Sequence, residues 1–256
     1  MTAEQRAEFE ERGFFRLRAV FSRAEAERMQ ERVWATLERK HGVRRDDPGS
    51  WRLPPAAGLQ ALRTHAVFHP IGAPAVIDAL DHLIGEGCWQ RPRHWGQFLV
   101  SFPAAGPSAG RTPWHTDFPY VLDDDRVAGA LVFSFIGEVP ARAGGTLVLA
   151  GSHRLVARFL RAKPHLRQLP MKVTRRALMD SDPWLKSLCA ESDPDEWSTR
   201  LLDTGHVIAD VPLRIVELVG EAGDVVVGHP WLLHRVSHNR GDQPRFMRVQ
   251  RIRALR

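Results

Sequence analysis

The chain has 256 residues, of which 43% are hydrophobic and 26% charged, and 36 Lys and Arg against 30 Asp and Glu give it a formal net charge of +6. This composition is enough for a buried core and excludes disorder, collagen and coiled coils. No apolar run approaches the ~18–20 residues of a membrane span, and the N-terminal stretch lacks the apolar core of a secretory signal. Two cysteines are too few for a disulfide scaffold. We therefore predict a soluble, cytoplasmic protein with no membrane partner.

The positive charge comes almost entirely from arginine, because lysine occurs only at Lys40, Lys163, Lys172 and Lys186. No long basic block with interleaved aromatic residues is present, as a nucleic-acid surface would require. We therefore interpret most arginines as a solvated face and expect no nucleic-acid partner.

The first 90 residues predict a helical N-terminal flank. Thr2 can cap a helix that runs through Glu11 and ends at Gly13, and Ser22 can cap a second helix that ends at His41-Gly42. The remaining candidates in this flank are a short strand over Phe14–Leu17 and a third helix over Ala73–Ile84.

Beyond residue 90, short apolar or alternating runs are separated by Gly, Pro and Asp, as in a sandwich or barrel. The predicted strands are Gln97–Phe102, Val127–Ile136, Thr146–Ala150, His206–Val211, Arg214–Val219, Val225–Gly228 and Phe246–Arg251. A basic segment over 155–203 interrupts them, with helical pieces at Leu155–Ala162, Arg175–Met179 and Pro183–Ala190. We predict a single domain over 1–256, with an all-β core, flanking helices and one long insertion.

The stretch Pro113-Trp114-His115-Thr116-Asp117 carries the clearest chemical signal. On a strand, residues two apart share a face, so His115 and Asp117 would point the same way. They would be two members of the 2-His-1-carboxylate triad that binds non-heme Fe(II). The third ligand must come from a distant strand, and residues 223–239 offer His229, His234 and His238. Periodicity alone does not choose among these three.

Several spaced motifs occur in an order that resembles one known family. Trp-His-x-Asp is followed by Gly-Gly-Thr-Leu-x-x-x-x-Gly-Ser-His (Gly144 to His153) and then by Gly-Asp…His-Pro-x-x-x-His…Asn…Arg (Gly223 to Arg245). This order resembles the phytanoyl-CoA dioxygenase family of Fe(II)/2-oxoglutarate-dependent oxygenases over residues 95–251. Several motifs in order are far more specific than any one of them.

The resemblance implies a double-stranded β-helix, that is, a jelly roll of cupin-like type, with its active site at one end. It implies that His115, Asp117 and His234 bind the metal and that Arg245 holds the distal carboxylate of 2-oxoglutarate. Gln97 and Phe133 match positions that line the cosubstrate pocket.

One position departs from the family pattern. Relatives often carry Ser or Thr two residues after the distal histidine to help hold the carboxylate, and that position is Val236 here. Ser237 is adjacent but should face the other way on a regular strand.

The implied cofactor is Fe(II), with 2-oxoglutarate and O2 as cosubstrates. The implied reaction is oxidation of an unactivated C–H bond, with release of succinate and CO2. An acidic residue at Asp117 favours hydroxylation, because halogenating relatives carry a small residue there. Desaturation and ring formation are alternatives. The expected substrate is a small molecule of natural-product biosynthesis.

Two other functional classes are alternatives to this one. A redox-inert cupin-like enzyme or small-molecule-binding protein would keep the barrel, but the intact Arg245 argues against it. A nucleic-acid-acting dioxygenase is suggested only by the basic charge, and the Arg-x-Asn-x-x-x-Arg ending of base-repair dioxygenases does not fit residues 235–245.

The insertion over 155–203 has two interpretations. Its arginines could belong to a lid over the barrel mouth and contact an anionic group of the substrate, or they could form a solvated helix face, which is the commoner role of charge runs. We expect His229 and His153 to be packing residues and His238 to lie at the surface or the pocket rim. The sequence indicates no oligomeric state.

Overall fold

A computed structural model describes residues 1–52, 58–103, 113–120, 127–189, 202 and 205–255. The α-helices of this part are α1 (Ala3–Arg12), α2 (Arg23–His41), α3 (Pro74–Ile84), α4 (Ser152–Ala162), α5 (Met171–Met179) and α6 (Pro183–Ser187). Its strands are β1 (Phe14–Leu17), β2 (Gln97–Ser101), β3 (Gly129–Phe135), β4 (Leu147–Ala150), β5 (Gly205–Ile208), β6 (Val211–Glu217), β7 (Val225–Gly228), β8 (His234–Arg235) and β9 (Arg245–Arg253).

The strands form two antiparallel sheets. One has five strands in the order β1-β7-β3-β9-β2, and the other has four in the order β5-β6-β4-β8. Phe133 and Met247 of the larger sheet share one buried apolar cluster with Leu149 and Ile215 of the smaller one, so the two sheets pack face to face. The predicted all-β core with flanking helices is therefore confirmed.

The two faces of the larger sheet serve different cores. On β3, Leu131, Phe133 and Phe135 face the smaller sheet, whereas Ala130 and Val132 belong to a second cluster with the helices α2 and α3. Side chains alternate between faces along a strand, and both faces are covered, which explains why β3 is buried at every residue. The same alternation places Gln97, Leu99 and Ser101 on the inner face of β2.

The N-terminal helices begin and end where the sequence predicts. Thr2 and Ser22 each form a capping box, with Gln5 and Glu25 respectively, so that two backbone N–H groups are satisfied at each helix start. Both helices end at a glycine in the left-handed conformation, Gly13 at φ 85° and Gly42 at φ 66°. β1 follows α1 and pairs with β7, which attaches this flank to the larger sheet.

Two helices of the insertion begin earlier than predicted, whereas α6 begins at Pro183 as expected. α4 begins at Ser152 rather than Leu155, because Gly151 adopts φ 82° directly after β4 and turns the chain at once into the helix. α5 begins at Met171, directly after Pro170. The predicted third piece reaches Ala190, which lies with 191–201 and 203–204 outside the described residues.

Arginine is less confined to the surface than expected. Arg248 is completely buried on the outer face of β9, where its guanidinium lies 4.5 Å from the ring centroid of Phe68 and 4.6 Å from that of Phe98. Its Nη2 donates to the carbonyl of Gly96 at 2.6 Å. Aromatic rings and carbonyls thus replace the lost hydration of this cation.

No helix in the described ranges is long and apolar enough to cross a bilayer.

Candidate metal centre

A single backbone bridge brings the two halves of the centre together. His115 and His234 pair in antiparallel fashion, with the N–H of His115 donating to the carbonyl of His234 at 3.0 Å and the reverse bond at 2.9 Å. The strand geometry used to reason about 113–117 does not extend beyond this bridge, since Asp117 lies in a bend. Pro113 and Pro119 flank the segment and have no N–H to extend the pairing.

The three residues expected at the metal nevertheless meet. One ligand atom from each of His115, Asp117 and His234 lies within 4.8 Å of the others. The imidazole centroids are 4.2 Å apart, and His234 Nε2 lies 3.5 Å from Asp117 Oδ2. Of the three candidate histidines in 223–239, His234 is the one that joins this group, and it is buried.

Hydrogen bonds fix both imidazoles with Nε2 available. His115 Nδ1 lies 3.0 Å from the carbonyl of Pro113, and His234 Nδ1 lies 2.9 Å from that of Leu232. Since a carbonyl only accepts, Nδ1 carries the proton in each ring. The Nε2 lone pairs are then free for a metal ion, in the usual arrangement of metal-binding histidines.

Electrostatics favour the protonation states that a metal requires. Burial and the neighbouring His234 lower the pKa of His115. Burial would raise the pKa of Asp117, but the adjacent imidazole of His234 and the hydrogen bond from the Arg251 guanidinium outweigh it and hold the pKa of this carboxyl well below its usual range. A neutral imidazole and an ionised carboxylate are therefore present at neutral pH, as metal ligation demands.

Arg251 is a residue of this centre that the motifs did not identify. Its Nη2 donates to Asp117 Oδ1 at 2.8 Å, while Oδ2 of the same carboxylate faces His234. A signal was present in the sequence, because Arg245 directly precedes the predicted last strand and Arg251 ends it, six residues on, so both share a face if the strand begins one residue earlier.

The Gly-Ser-His motif positions the distal histidine. The Oγ of buried Ser152 accepts the N–H of Leu233 at 2.9 Å, next to His234. Gly151 has φ 82°, and a Cβ there would lie 2.3 Å from the carbonyl oxygen of Pro212, so no other residue fits this turn. The motif therefore holds the backbone that carries a metal-centre residue.

His153 and His229 form a separate pair. Their ring centroids are 4.8 Å apart, His153 Nε2 donates to the carbonyl of Glu10 at 3.1 Å, and His229 Nδ1 accepts the N–H of Trp231 at 3.1 Å. Burial lowers the pKa of His153 to about 4 and that of His229 well below its usual value. His229 thus contacts its neighbours within the fold and is not in the metal group.

Arg245 lies on the inner face of β9 and is buried, with 3% of its surface exposed. Its Nη1 donates to the carbonyl of Gly144, and its Nε has no hydrogen-bond partner among the described residues. Burial lowers the pKa of Arg245 to about 10, against the opposing charge of Glu217, so the guanidinium stays charged at neutral pH. A buried cation with an unused donor is suited to a carboxylate ligand.

The other expected pocket residues lie on the same inner face. Phe133 is buried with its ring 5.8 Å from that of His234, and Gln97 is exposed. Both pair with Val249, so the three form one row across the sheet.

Val236 is the position that departs from the family pattern, and it offers no hydroxyl. The Oγ of the next residue, Ser237, donates to the carbonyl of Gly145 at 2.6 Å.

Comparison with known proteins accounts for this architecture. The model of the phytanoyl-CoA dioxygenase (PhyH) family matches residues 9–247. No curated protein sequence gives a significant match. Among solved structures, HygX from Streptomyces hygroscopicus with nickel and 2-oxoglutarate bound is 16% identical, with a TM-score of 0.54 and coverage of 99% of this chain and 87% of that one.

Two further solved structures show the same likeness. The nickel complex of the non-heme monooxygenase ThoJ is 18% identical, with a TM-score of 0.53 and coverage of 97% of this chain and 76% of that one. The non-heme α-ketoglutarate-dependent epimerase SnoN from nogalamycin biosynthesis is 17% identical, with a TM-score of 0.51 and coverage of 98% and 82%. These likenesses confirm the predicted double-stranded β-helix, and the family match across nearly the whole sequence shows that the chain belongs to the phytanoyl-CoA dioxygenase family.

Proposed function

We propose that this protein is an Fe(II)- and 2-oxoglutarate-dependent oxygenase that oxidises an unactivated C–H bond of a small molecule and releases succinate and CO2. The observation that carries the proposal is the meeting of His115, Asp117 and His234 within 4.8 Å. Family membership supports the same class of chemistry. HygX, which shares the fold, was solved with nickel and 2-oxoglutarate bound.

The donor set fits the proposed ion. Two neutral imidazole nitrogens and one carboxylate oxygen, grouped on one side, are the ligands with which proteins hold Fe(II) and keep coordination positions open. With 2-oxoglutarate and O2, Fe(II) would supply the oxidant for the C–H bond. His115, Asp117 and His234 would hold the ion.

The chain's own groups orient this ligand set. Bonds to the carbonyls of Pro113 and Leu232 keep each histidine in the Nδ1–H form. Arg251 occupies Oδ1 of Asp117 and leaves Oδ2 for the ion. The side chains of Asp117 and His234 are 8% and 6% exposed, which limits the access of water to the ligand atoms.

The cosubstrate would lie along the inner face of the larger sheet. We assign its distal carboxylate to Arg245, since this buried guanidinium retains an unused Nε–H. Arg245 is four residues from Val249 on β9, about 13 Å along a strand at ~3.3 Å per residue. An arginine side chain and a five-carbon dicarboxylate together span that gap to the metal. Phe133 and Gln97 would line the pocket at its metal end.

For the substrate, we propose a small molecule of natural-product biosynthesis with an anionic group. Arg175 on α5 is half-buried and makes no ion pair within the described ranges. Burial is the main influence on the pKa of both His115 and Tyr120, and it lowers the first and raises the second. The positive charge of Arg175 lowers both pKa values. That 155–203 acts as a lid stays a prediction. We propose hydroxylation as the reaction because Asp117 retains its carboxylate.

The metal assignment is tested by Fe(II)-dependent conversion of 2-oxoglutarate to succinate under O2. His115→Ala or Asp117→Ala should abolish succinate formation, because each removes one of three ligands. His69→Ala is the matched control, since His69 is exposed and outside the centre. Near-full activity in either centre variant would contradict the assignment.

The substrate class is tested with a metabolite panel in which each carboxylate is paired with its methyl ester. We expect the free carboxylates to stimulate succinate release, and Arg175→Gln to remove that preference. Arg176→Gln is the control, because Arg176 is the next residue on α5 and pairs with Asp180 at 3.5 Å. Equal stimulation by acids and esters would contradict an anionic substrate.

A further inference from the structure

A serine faces Arg245 across two strands of the larger sheet. Ser101 of β2 and Arg245 of β9 are direct partners in the antiparallel register. Directly opposed residues project from the same face with Cβ atoms about 5 Å apart. Leu99 and Met247 are the next register partners on that face. Met247 belongs to the inner core and Leu99 packs against it, so Ser101 and Arg245 point inward.

Both side chains retain an unused polar atom. The Oγ of Ser101 is buried and has no hydrogen-bond partner in the described part of the chain, and the same is true of Arg245 Nε. Buried polar groups are nearly always hydrogen-bonded, so two opposed orphaned donors on the inner face, which also carries Phe133 beside His234, are suited to a shared acceptor. An anion that accepts from both would satisfy the pair.

The two positions beyond the distal histidine where a hydroxyl could replace the family's Ser or Thr, Val236 and Ser237, cannot fill this role. Val236, two residues after His234, has none. The hydroxyl of Ser237 already donates its only hydrogen to the carbonyl of Gly145 at 2.6 Å. A carboxylate needs donors, so neither residue can supply one.

We propose that Ser101 donates the hydroxyl hydrogen bond to the distal carboxylate of the cosubstrate and forms, with Arg245, a clamp for a five-carbon 2-oxo dicarboxylate. This inference rests on the proposed function and adds a binding residue on β2, the register partner of Arg245. It also makes the clamp selective for chain length, because a four-carbon dicarboxylate bound at the metal would fall short of Ser101 and Arg245.

The chain contains a matched counterpart on the outer face of the same sheet. Ser134 of β3 is the register partner of Arg248, and its Oγ is likewise buried without a partner in the described ranges. There, however, the guanidinium lies against the rings of Phe68 and Phe98, away from the metal centre. Ser134→Ala therefore controls for loss of a buried serine hydroxyl opposite an arginine.

The test measures binding without turnover, by calorimetric titration of Ni(II)-loaded protein with 2-oxoglutarate. Ser101→Ala should raise the dissociation constant of 2-oxoglutarate by about 10- to 100-fold, the value of one hydrogen bond to a charged group. Ser134→Ala should leave it unchanged, and Ser101→Thr should restore most of the affinity. Ni(II) affinity without cosubstrate should be the same in all variants.

A second ligand separates binding from a structural role. 2-Oxopentanoate chelates the metal like 2-oxoglutarate but lacks the distal carboxylate, so Ser101→Ala should bind it as the unsubstituted protein does. The clamp would be contradicted if Ser101→Ala bound 2-oxoglutarate as tightly as the unsubstituted protein does. An equal loss of affinity for 2-oxoglutarate and 2-oxopentanoate would contradict it as well. If the unsubstituted protein binds neither Ni(II) nor 2-oxoglutarate, the proposed function itself fails.

Discussion

The described residues contain two close pairs of imidazoles, and of these two only one belongs to the candidate metal centre. His115 and His234 lie 4.2 Å apart, and His153 and His229 lie 4.8 Å apart. In the first pair, both Nδ1 atoms are bound to backbone carbonyls, so both Nε2 atoms are free beside Asp117. In the second pair, His153 Nε2 is itself bound to the carbonyl of Glu10. Among the described residues, His153 Nδ1 also has no hydrogen-bond partner, but only the first pair is grouped with a carboxylate. Proximity of histidines is therefore not sufficient, because this ligand set also needs the carboxylate.

The second pair has a structural consequence instead. The N–H of His229 donates to the carbonyl of Gly13 at 2.7 Å, and a Cβ at Gly13 would lie 2.5 Å from His153 Nδ1. The pair therefore joins the end of α1 to the chain that leads into β8. We expect its substitution to affect stability and that of the first pair to affect metal binding.

The largest expected effect separates the two pairs by metal affinity. His234→Gln should weaken Ni(II) or Co(II) binding by more than ~100-fold. This exceeds the usual loss when only a hydrogen-bond partner of a metal ligand is changed. His229→Gln should leave the affinity within a few-fold, because its ring faces the fold and not the centre. Calorimetric titration of both variants gives the comparison. Equal losses would mean that the two pairs act on one site.

The next effect is the pH dependence of stability that the second pair imposes. The folded pKa of His153 is about 4, and its unfolded value is about 6.5. Between these values the unfolded chain binds the extra proton. The stability contributed by the neutral ring is thus full above pH ~6.5 and is lost as pH falls toward ~4.

This pH effect is measurable by urea unfolding at pH 7 and pH 5. His153 should account for a loss of about 2 kcal/mol between them, and His229 should act in the same direction. His153→Gln can still donate to the carbonyl of Glu10 but does not titrate, so its stability should fall less steeply. An unchanged slope would show that His153 titrates normally.

A smaller effect on metal affinity is expected from Arg251, the hydrogen-bond partner of Asp117. Arg251→Gln removes the charge-assisted bond to Oδ1, and we expect metal affinity to fall about 10-fold, the lower end for partners of metal ligands. Arg253→Gln is the control, since Arg253 lies two residues further on the same face and contacts the ring of Phe118. Unchanged affinity in Arg251→Gln would show that Asp117 is oriented without this bond.

The smallest effect is expected at the third candidate histidine of 223–239. His238→Ala should change metal affinity less than ~2-fold, because His238 lies outside the group formed by His115, Asp117 and His234. The same titration measures it. A loss comparable to that of His234→Gln would require a fourth ligand.

Much of the fold could be predicted from local pattern. The largely apolar run at residues 129–135 and the Val-Val-Val run before Gly228 became central strands, as expected of segments buried on both faces. The capping boxes at Thr2 and Ser22 placed two helix starts correctly. These features depend on neighbours in the sequence, so they are readable from it.

The finer contacts of the site depend on register between distant strands. The bond from Arg251 to Asp117 and the opposition of Ser101 and Arg245 follow from how β9 aligns with its partners. Periodicity left three histidines open in 223–239, and the choice of His234 required a resemblance to a family. The burial of Arg248 depends on Phe68 and Phe98, which come from separate elements.

The bridge between residues 115 and 234 also sets the order in which this protein can mature. Neither histidine makes this bridge without the other's backbone, and the bond from Arg251 that orients Asp117 forms later still. A nascent chain on the ribosome therefore cannot bring the candidate ligands together before His234 has left the exit tunnel. Any metal at this centre would bind only after most of the sequence has been made, so a shorter nascent chain would not hold it there.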